Sequence, residues 1–185
     1  MGLDTTAYRH HKLLPDLLEK SNNISDDDYD EFYDSLYANN QKLIFAYDNF
    51  PHALEGFGVT PFKLDAPWAR DSHFLTVGYA SGETGPTTQC SYSTHTVYRE
   101  ALCDYFSVTF GPGLSRELPF YDLIWFADNE GTLGPAACKR LLEDYQTFSV
   151  DMLGIADYPY HLARYHQQWY DAVSWAAQDG FIDFH

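Results

Sequence analysis

The sequence predicts one compact α+β domain over residues 1–185, with a small mixed or antiparallel sheet packed by about four helices. Three observations predict it. β-prone segments lie at both ends of the chain, with helical patterns between them. No internal repeat, linker or low-complexity stretch divides the chain. And 45% of the residues are hydrophobic and 17% aromatic, enough for one sizeable core and too many for a disordered chain.

The segment GLDTTAYRHH, residues 2–11, is rich in threonine and tyrosine and loosely alternating, which reads as a first strand. Pro15 interrupts the KLLPDLLEKSNN that follows, and the polar end of that stretch makes a turn. Residues 25–50 predict a long helix. Ser25 caps it, and Asp26, Asp27 and Asp28 meet the positive end of the helix dipole. Tyr29, Phe32, Tyr33, Leu36 and Tyr37 recur at helical spacing and form one face.

Residues 51–86 are irregular, with scattered glycine and proline, but SHFLTVGYA within them reads as a strand. SGETGPTTQCSYS, residues 81–93, reads as a flexible polar loop. THTVYREALCDYF predicts a short helix capped by Thr94, with Val97, Ala101, Leu102 and Tyr105 on its apolar side. GPGLSRELP is a turn, and FYDLIWF fits either a strand or a short helical turn. Pro135 opens the next helix, on which Ala137, Leu141, Leu142, Tyr145 and Phe148 face one side. A last helix spans roughly residues 160–178, with Tyr165, Trp169, Ala172 and Ala176 as its stripe. Gly180 supplies the stop, and FIDFH closes the chain as a strand.

Charge narrows the functional classes. A formal net charge of −16 repels nucleic acid and anionic membranes at long range, so neither is an expected partner. Cys90, Cys103 and Cys138 form no CxxC pair, and their odd number suits neither a zinc framework nor a disulfide scaffold. The eight histidines show no metal-ligand spacing, so no metal and no cofactor is assigned. The first twenty residues lack an apolar run of signal-peptide length, and no stretch reaches the roughly 18 apolar residues of a membrane span. A soluble, cytoplasmic protein is the expectation.

Two segments concentrate polar chemistry. The first is Asp128, Asn129 and Glu130, where an apolar stretch stops before a helix. Carboxylates there would bind a cation, accept protons or grip a ligand's hydroxyls and amines. Capping of the next helix explains them equally. The EF-hand pattern fails, because Phe126 stands where it needs its first aspartate.

The second is SYSTHTVYRE. Tyr92 and Tyr98 would stack on a planar ring, and Arg99 would hold an anionic group by two parallel hydrogen bonds. His95 and Arg99, four residues apart, share a helical face. Pairing of Arg99 with one of the many carboxylates is the alternative. GxSxG, GxGxxG and GxxxxGK[ST] are all absent, and no catalytic residue is assigned.

MGLDTTAY, YSTHTVYREAL, FADNEGTLGP and the tail WYDAVSWAAQDGFIDFH occur in that order. As a set they resemble a family of small bacteriophage and prophage proteins with no characterised activity. Its members begin with an MGLD segment, carry an FSD.EG.IGP-like segment and end near VDFH. The resemblance spans most of the chain and is weakest over residues 10–75. It places Arg99, Asp128, Glu130, Gly131, Gly134, Pro135, Asp183, Phe184 and His185 on recurrent positions. Ala127 and Asn129 stand where the family often has serine and cysteine, so a thiol or hydroxyl there is dispensable. The resemblance implies a phage-type setting, in which many small proteins counter host defence.

Three readings follow. The first is a binding protein that sequesters a small polar or nucleotide-like ligand in an aromatic pocket, using Tyr92, His95, Tyr98, Arg99, Asp128 and Glu130. The second is a hydrolase with Asp128 or Glu130 as base or metal ligand and His95 or His185 as proton carrier. The third is an acidic inhibitor whose Asp26, Asp27, Asp28 and Asp30 block a basic site on a host protein. An aromatic-rich chain of this size is also a candidate homodimer.

Overall fold

Alternating threonine, tyrosine and small residues draw the N-terminus into a long strand, β1 (Gly2–Leu13), as its composition predicts. A computed structural model describes residues 2–64, 66, 73–111, 113–126, 131–158 and 161–185. Five further strands follow: β2 (Gln41–Tyr47), β3 (Phe62–Lys63), β4 (Phe74–Ser91), β5 (Gly131–Leu133) and β6 (Phe181–Phe184). They form one sheet in the order β2-β4-β1-β6-β5, with β3 also on β4, and every pairing is antiparallel. The sheet curls almost into a barrel. β5 approaches β2 so closely that a Cβ on Gly131, whose φ is +117°, would lie 3.3 Å from the Phe45 carbonyl oxygen.

Six α-helices are present among the described residues. Four have ten residues or more: α2 (Tyr29–Ala38), α3 (Tyr92–Phe106), α5 (Pro135–Thr147) and α6 (Leu162–Ala176). α1 (Pro15–Ser21) and α4 (Tyr121–Trp125) are shorter. The α+β architecture is therefore as expected, with the N- and C-terminal strands paired in register from Thr5 against Phe184 to Tyr8 against Phe181.

Three local expectations are corrected. Residues 25–50 are not one helix. A 3-10 turn at Asp26–Asp28 leads into α2, Asn40 adopts a left-handed φ of 53°, and the chain returns as β2. In QKLIFAY the aliphatic and aromatic residues alternate between two buried faces of a strand, a signal stronger than the helical period that precedes it. Residues 81–91 are not a loop either, because β4 runs on through them, paired to β1. The N-cap of α3 is Ser91, whose Oγ accepts the Thr94 N–H at 3.1 Å, rather than Thr94 itself.

Hydrophobic burial divides in two. The main core lies between the sheet and α3, α5 and α6, with Trp169, Tyr98, Phe120 and Phe181 among its fully buried side chains. α6 packs close to the sheet because Gly180 follows it, and a Cβ there would overlap the Tyr8 carbonyl. A smaller cluster joins Phe32 and Leu36 of α2 to Leu43, Leu64, Ala66 and Tyr79. No helix among the described residues is long and apolar enough to cross a membrane.

Candidate functional site

α3 presents His95, Tyr98, Arg99 and Leu102 on one face, and that face turns inward. The His95 Nε2–H donates to the Phe126 carbonyl at 3.2 Å, so its Nδ1 accepts from the Tyr165 hydroxyl at 3.0 Å. Burial lowers the pKa of this imidazole to about 4, and the ring is neutral near pH 7. The Tyr98 hydroxyl meets His166 Nδ1 at 2.8 Å and the Tyr145 hydroxyl at 3.1 Å. Burial likewise lowers His166 to about 4 and raises Tyr98.

Arg99 donates its Nε–H to the Ile124 carbonyl and lies under the Phe110 ring, 4.2 Å from its centroid. Its buried Nη2 has no hydrogen-bond partner among the described residues, and desolvation lowers its pKa. Tyr92 is half-buried against the main core. Thus the α3 residues named from sequence do come together, but His95, Tyr98 and Arg99 do so inside the protein. None of the four lines the three cavities below. Asp128 and Glu130 lie outside the described residues.

Of three cavities formed by the described residues, the one with the most aromatic lining is elsewhere. It has a volume of about 720 Å³ and lies between α2, β2 and the ends of β4 and β6. Local rules place each wall. Phe32 and Leu36, four residues apart, bury under α2, so the neighbouring flank turns Tyr29, Asp30, Tyr33 and Asp34 toward the cavity. On β2 the alternation sends Lys42, Ile44 and Ala46 to one face and Leu43 and Phe45 to the other, which is the cavity side. Leu64, Phe74, Phe184 and His185 complete the lining. Tyr29 and Tyr33 lie 5.6 Å apart between ring centroids, and Phe45 meets Phe74 edge-on at 4.8 Å.

His185 is fixed by a 3.0 Å hydrogen bond between its Nε2 and Thr6 Oγ1, and its ring meets Tyr37 edge-on. Partial burial and the nearby Lys42 charge lower its pKa, which keeps the imidazole neutral near pH 7. Behind this wall lies a buried ion pair. Lys42 Nζ is 3.4 Å from Asp183 Oδ2 and 3.4 Å from the Tyr37 ring centroid. Burial raises Asp183 to about 7 against the opposing pull of Lys42, and burial lowers Lys42.

Two further cavities are less suited to a ring. One of about 710 Å³ is lined by the loop from Pro51 to Pro61 and by Arg116. Its charges are already matched, with Arg116 and Arg140 on Glu55 and Arg140 also paired with the buried Asp122. The other, of about 290 Å³, is polar and lined by Cys90, His161, Arg164 and Tyr165 among others. All three cysteines are free thiols. No group of three or more histidine, cysteine, aspartate or glutamate side chains among the described residues could hold a metal ion.

Sequence reading did not bring Asp34, Phe45, Phe74 and Phe184 together at one cavity, and took Tyr29 and Tyr33 as part of a helix face. The alternation within QKLIFAY was the available signal, since it puts Phe45 on the same face as Leu43. Compared with known proteins, the chain matches no family model, no curated protein and no solved structure.

Proposed function

We propose that this protein binds a small, ring-bearing polar molecule in the cavity between α2 and β2 and does not transform it. One observation carries the reading: about 720 Å³ of space is walled by Tyr29, Tyr33, Phe45, Phe74 and Phe184, with Asp30, Asp34 and His185 as the polar groups. That volume lies within the range of roughly 300–1,000 Å³ usual for ligand sites, and so does the mix of apolar walls with a few polar groups. Aromatic faces would stack on a planar ring, and the carboxylates would accept hydrogen bonds from amines or hydroxyls. A nucleobase or nucleoside fits this chemistry better than a phosphorylated nucleotide, because the lining holds two carboxylates and a neutral imidazole. In the phage-type setting implied by the sequence resemblance, such binding would sequester a host defence signal.

A second reading, an acidic inhibitor of a basic host protein, is favoured by the exposed Asp26, Asp27, Asp28 and Asp30 at the start of α2. Native mass spectrometry of protein purified from cells with active defence signalling separates the readings. An intact small molecule at a fixed ratio, lost in Tyr33→Ala and Phe74→Ala, is the expected result. A molecule retained by both variants would move the site elsewhere. A cleaved fragment would point to a hydrolase, and a co-purifying basic protein would favour the acidic inhibitor.

A further inference from the structure

We infer that the ligand of the α2–β2 cavity carries a positive charge: a protonated or quaternary amine attached to an apolar or aromatic body. This rests on the reading of that cavity as a ligand site, and it names the chemical class the site would take.

Four observations converge. Asp30 and Asp34 stand one helical turn apart on the flank of α2 that lines the cavity, and both are exposed. Neither forms an ion pair among the described residues. Second, the remaining walls are rings. Tyr29, Tyr33, Phe45, Phe74 and Phe184 all line the cavity, and an aromatic face attracts a cation through its quadrupole.

Third, no residue of the described lining opposes a cation. His185 is the one basic side chain among the described lining residues, and burial together with the Lys42 charge keeps it neutral near pH 7. Lys42 itself is 4% exposed, paired with Asp183 and covered by the Tyr37 ring, so it stands behind the wall and not in the lining. Fourth, the protein as a whole carries a formal charge of −16, and a concave site lined by carboxylates concentrates that field. Phosphates and other anions would meet both the local carboxylates and the long-range potential as repulsion.

The same geometry says how such a ligand would lie. The ammonium would sit at the rim, between the carboxylates and the tyrosine rings of α2. The apolar body would reach inward toward Leu43, Leu64 and Phe184, which are buried. A cavity of about 720 Å³ exceeds what a bare ammonium group fills, so the body is a required part of the class.

The test uses three soluble probes with the full-length protein, followed by isothermal titration calorimetry and by ligand-observed NMR. (3-Hydroxyphenyl)trimethylammonium is the cation, 3-tert-butylphenol is its neutral isostere, and adenosine monophosphate is the anion. The cation is expected to bind about tenfold more tightly than the isostere. The preference should shrink with added salt and vanish in Asp30→Asn/Asp34→Asn, chiefly through weaker binding of the cation, since the Asn amide oxygens still accept from the isostere's hydroxyl. Both substituted positions are exposed, and an unchanged melting temperature confirms the fold. Equal binding of the cationic probe and the isostere, or tighter binding of adenosine monophosphate, would overturn the cation while leaving the cavity as a ligand site. If none of the probes binds at millimolar concentration the cation is overturned too. A neutral molecule found by native mass spectrometry would then still uphold the ligand-binding function.

Discussion

The two hydrophobic clusters use similar residues for different ends. In the main core, Tyr98, Tyr145, Tyr165, His95 and His166 turn their polar atoms toward one another, and His95 also reaches a backbone carbonyl. Each of these five finds a partner within the core, and of the polar atoms beside them Arg99 Nη2 and Trp169 Nε1 have none among the described residues. Around the small cluster under α2, Tyr29, Tyr33, Asp30 and Asp34 stand along a cavity. A ring beside a polar group is thus a poor marker of a site on its own. What separates the two regions is where the groups point. The inner face of α3 meets α5 and α6, whereas the flank of α2 lines a cavity.

Truncation on the two sides should break this comparison most sharply. Tyr98→Ala removes a fully buried ring and strands His166 and Tyr145, so it should cost about 3–5 kcal/mol of unfolding free energy. Tyr33→Ala removes a half-buried ring at a cavity wall and should cost about 1 kcal/mol or less while abolishing ligand retention. Urea denaturation of the two variants checks the difference. Comparable losses would mean that α2 belongs to the same cooperative core as α3.

The boundary between the regions is the Lys42–Asp183 pair, which is within the curled sheet beside the cavity wall. Lys42→Met leaves a carboxyl of Asp183 buried without its counter-ion. The expected loss is about 3–5 kcal/mol at pH 8, where Asp183 must otherwise ionise, and less at pH 5, where the carboxyl is protonated. Lys42→Met/Asp183→Leu should recover most of that loss, because a buried ion pair and an apolar pair of similar volume are nearly equivalent. A double variant as unstable as the single one would show that the pair holds the sheet's register rather than merely matching charge.

Legibility in the sequence followed the same division. The terminal strands, α3, α5 and α6 were readable, since each buries one regular stripe in the main core. β2 was hidden because the helical period of Tyr29, Phe32, Tyr33 and Leu36 runs straight up to it. The second half of β4 was hidden by Gly82, Gly85 and Pro86, which are turn formers on their own. In the structure Gly85 serves packing. A Cβ there would collide with the Trp175 indole, which lies on the strand, donates its N–H to the Glu83 carbonyl at 3.2 Å and stacks under Arg9. Of the candidate site residues, His95 and Arg99 were correctly placed on one helical face, but burial of that face depends on α5 and α6, distant in sequence. The cavity was unreadable for the same reason, since its walls come from α2, β2, β4 and β6.

A further effect comes from pH, and it concerns the closed region. Burial holds His95 and His166 at about 4, below the ordinary value of about 6.5. Between these values the unfolded chain binds more protons than the folded one, so stability rises with pH across that window. Each histidine therefore favours folding fully above about pH 6.5, and its share is lost as pH falls toward 4. Asp144 and Asp183 act with the opposite sign, being raised to about 6 and about 7. Their folded forms hold the proton more tightly, so they add stability as pH falls. The wild-type pH curve is flattened by this opposition, and the histidine contribution has to be read from a difference. In His166→Phe the ring stays among Phe120 and Tyr145, and Tyr98 keeps its hydroxyl contact with Tyr145. The stability gap between wild type and this variant should move by about 2–3 kcal/mol in the variant's favour from pH 7.5 to pH 4. A gap that stays constant would mean that His166 is hydrated or protonated inside the fold, and that the α3–α5–α6 network is as open as the cavity under α2.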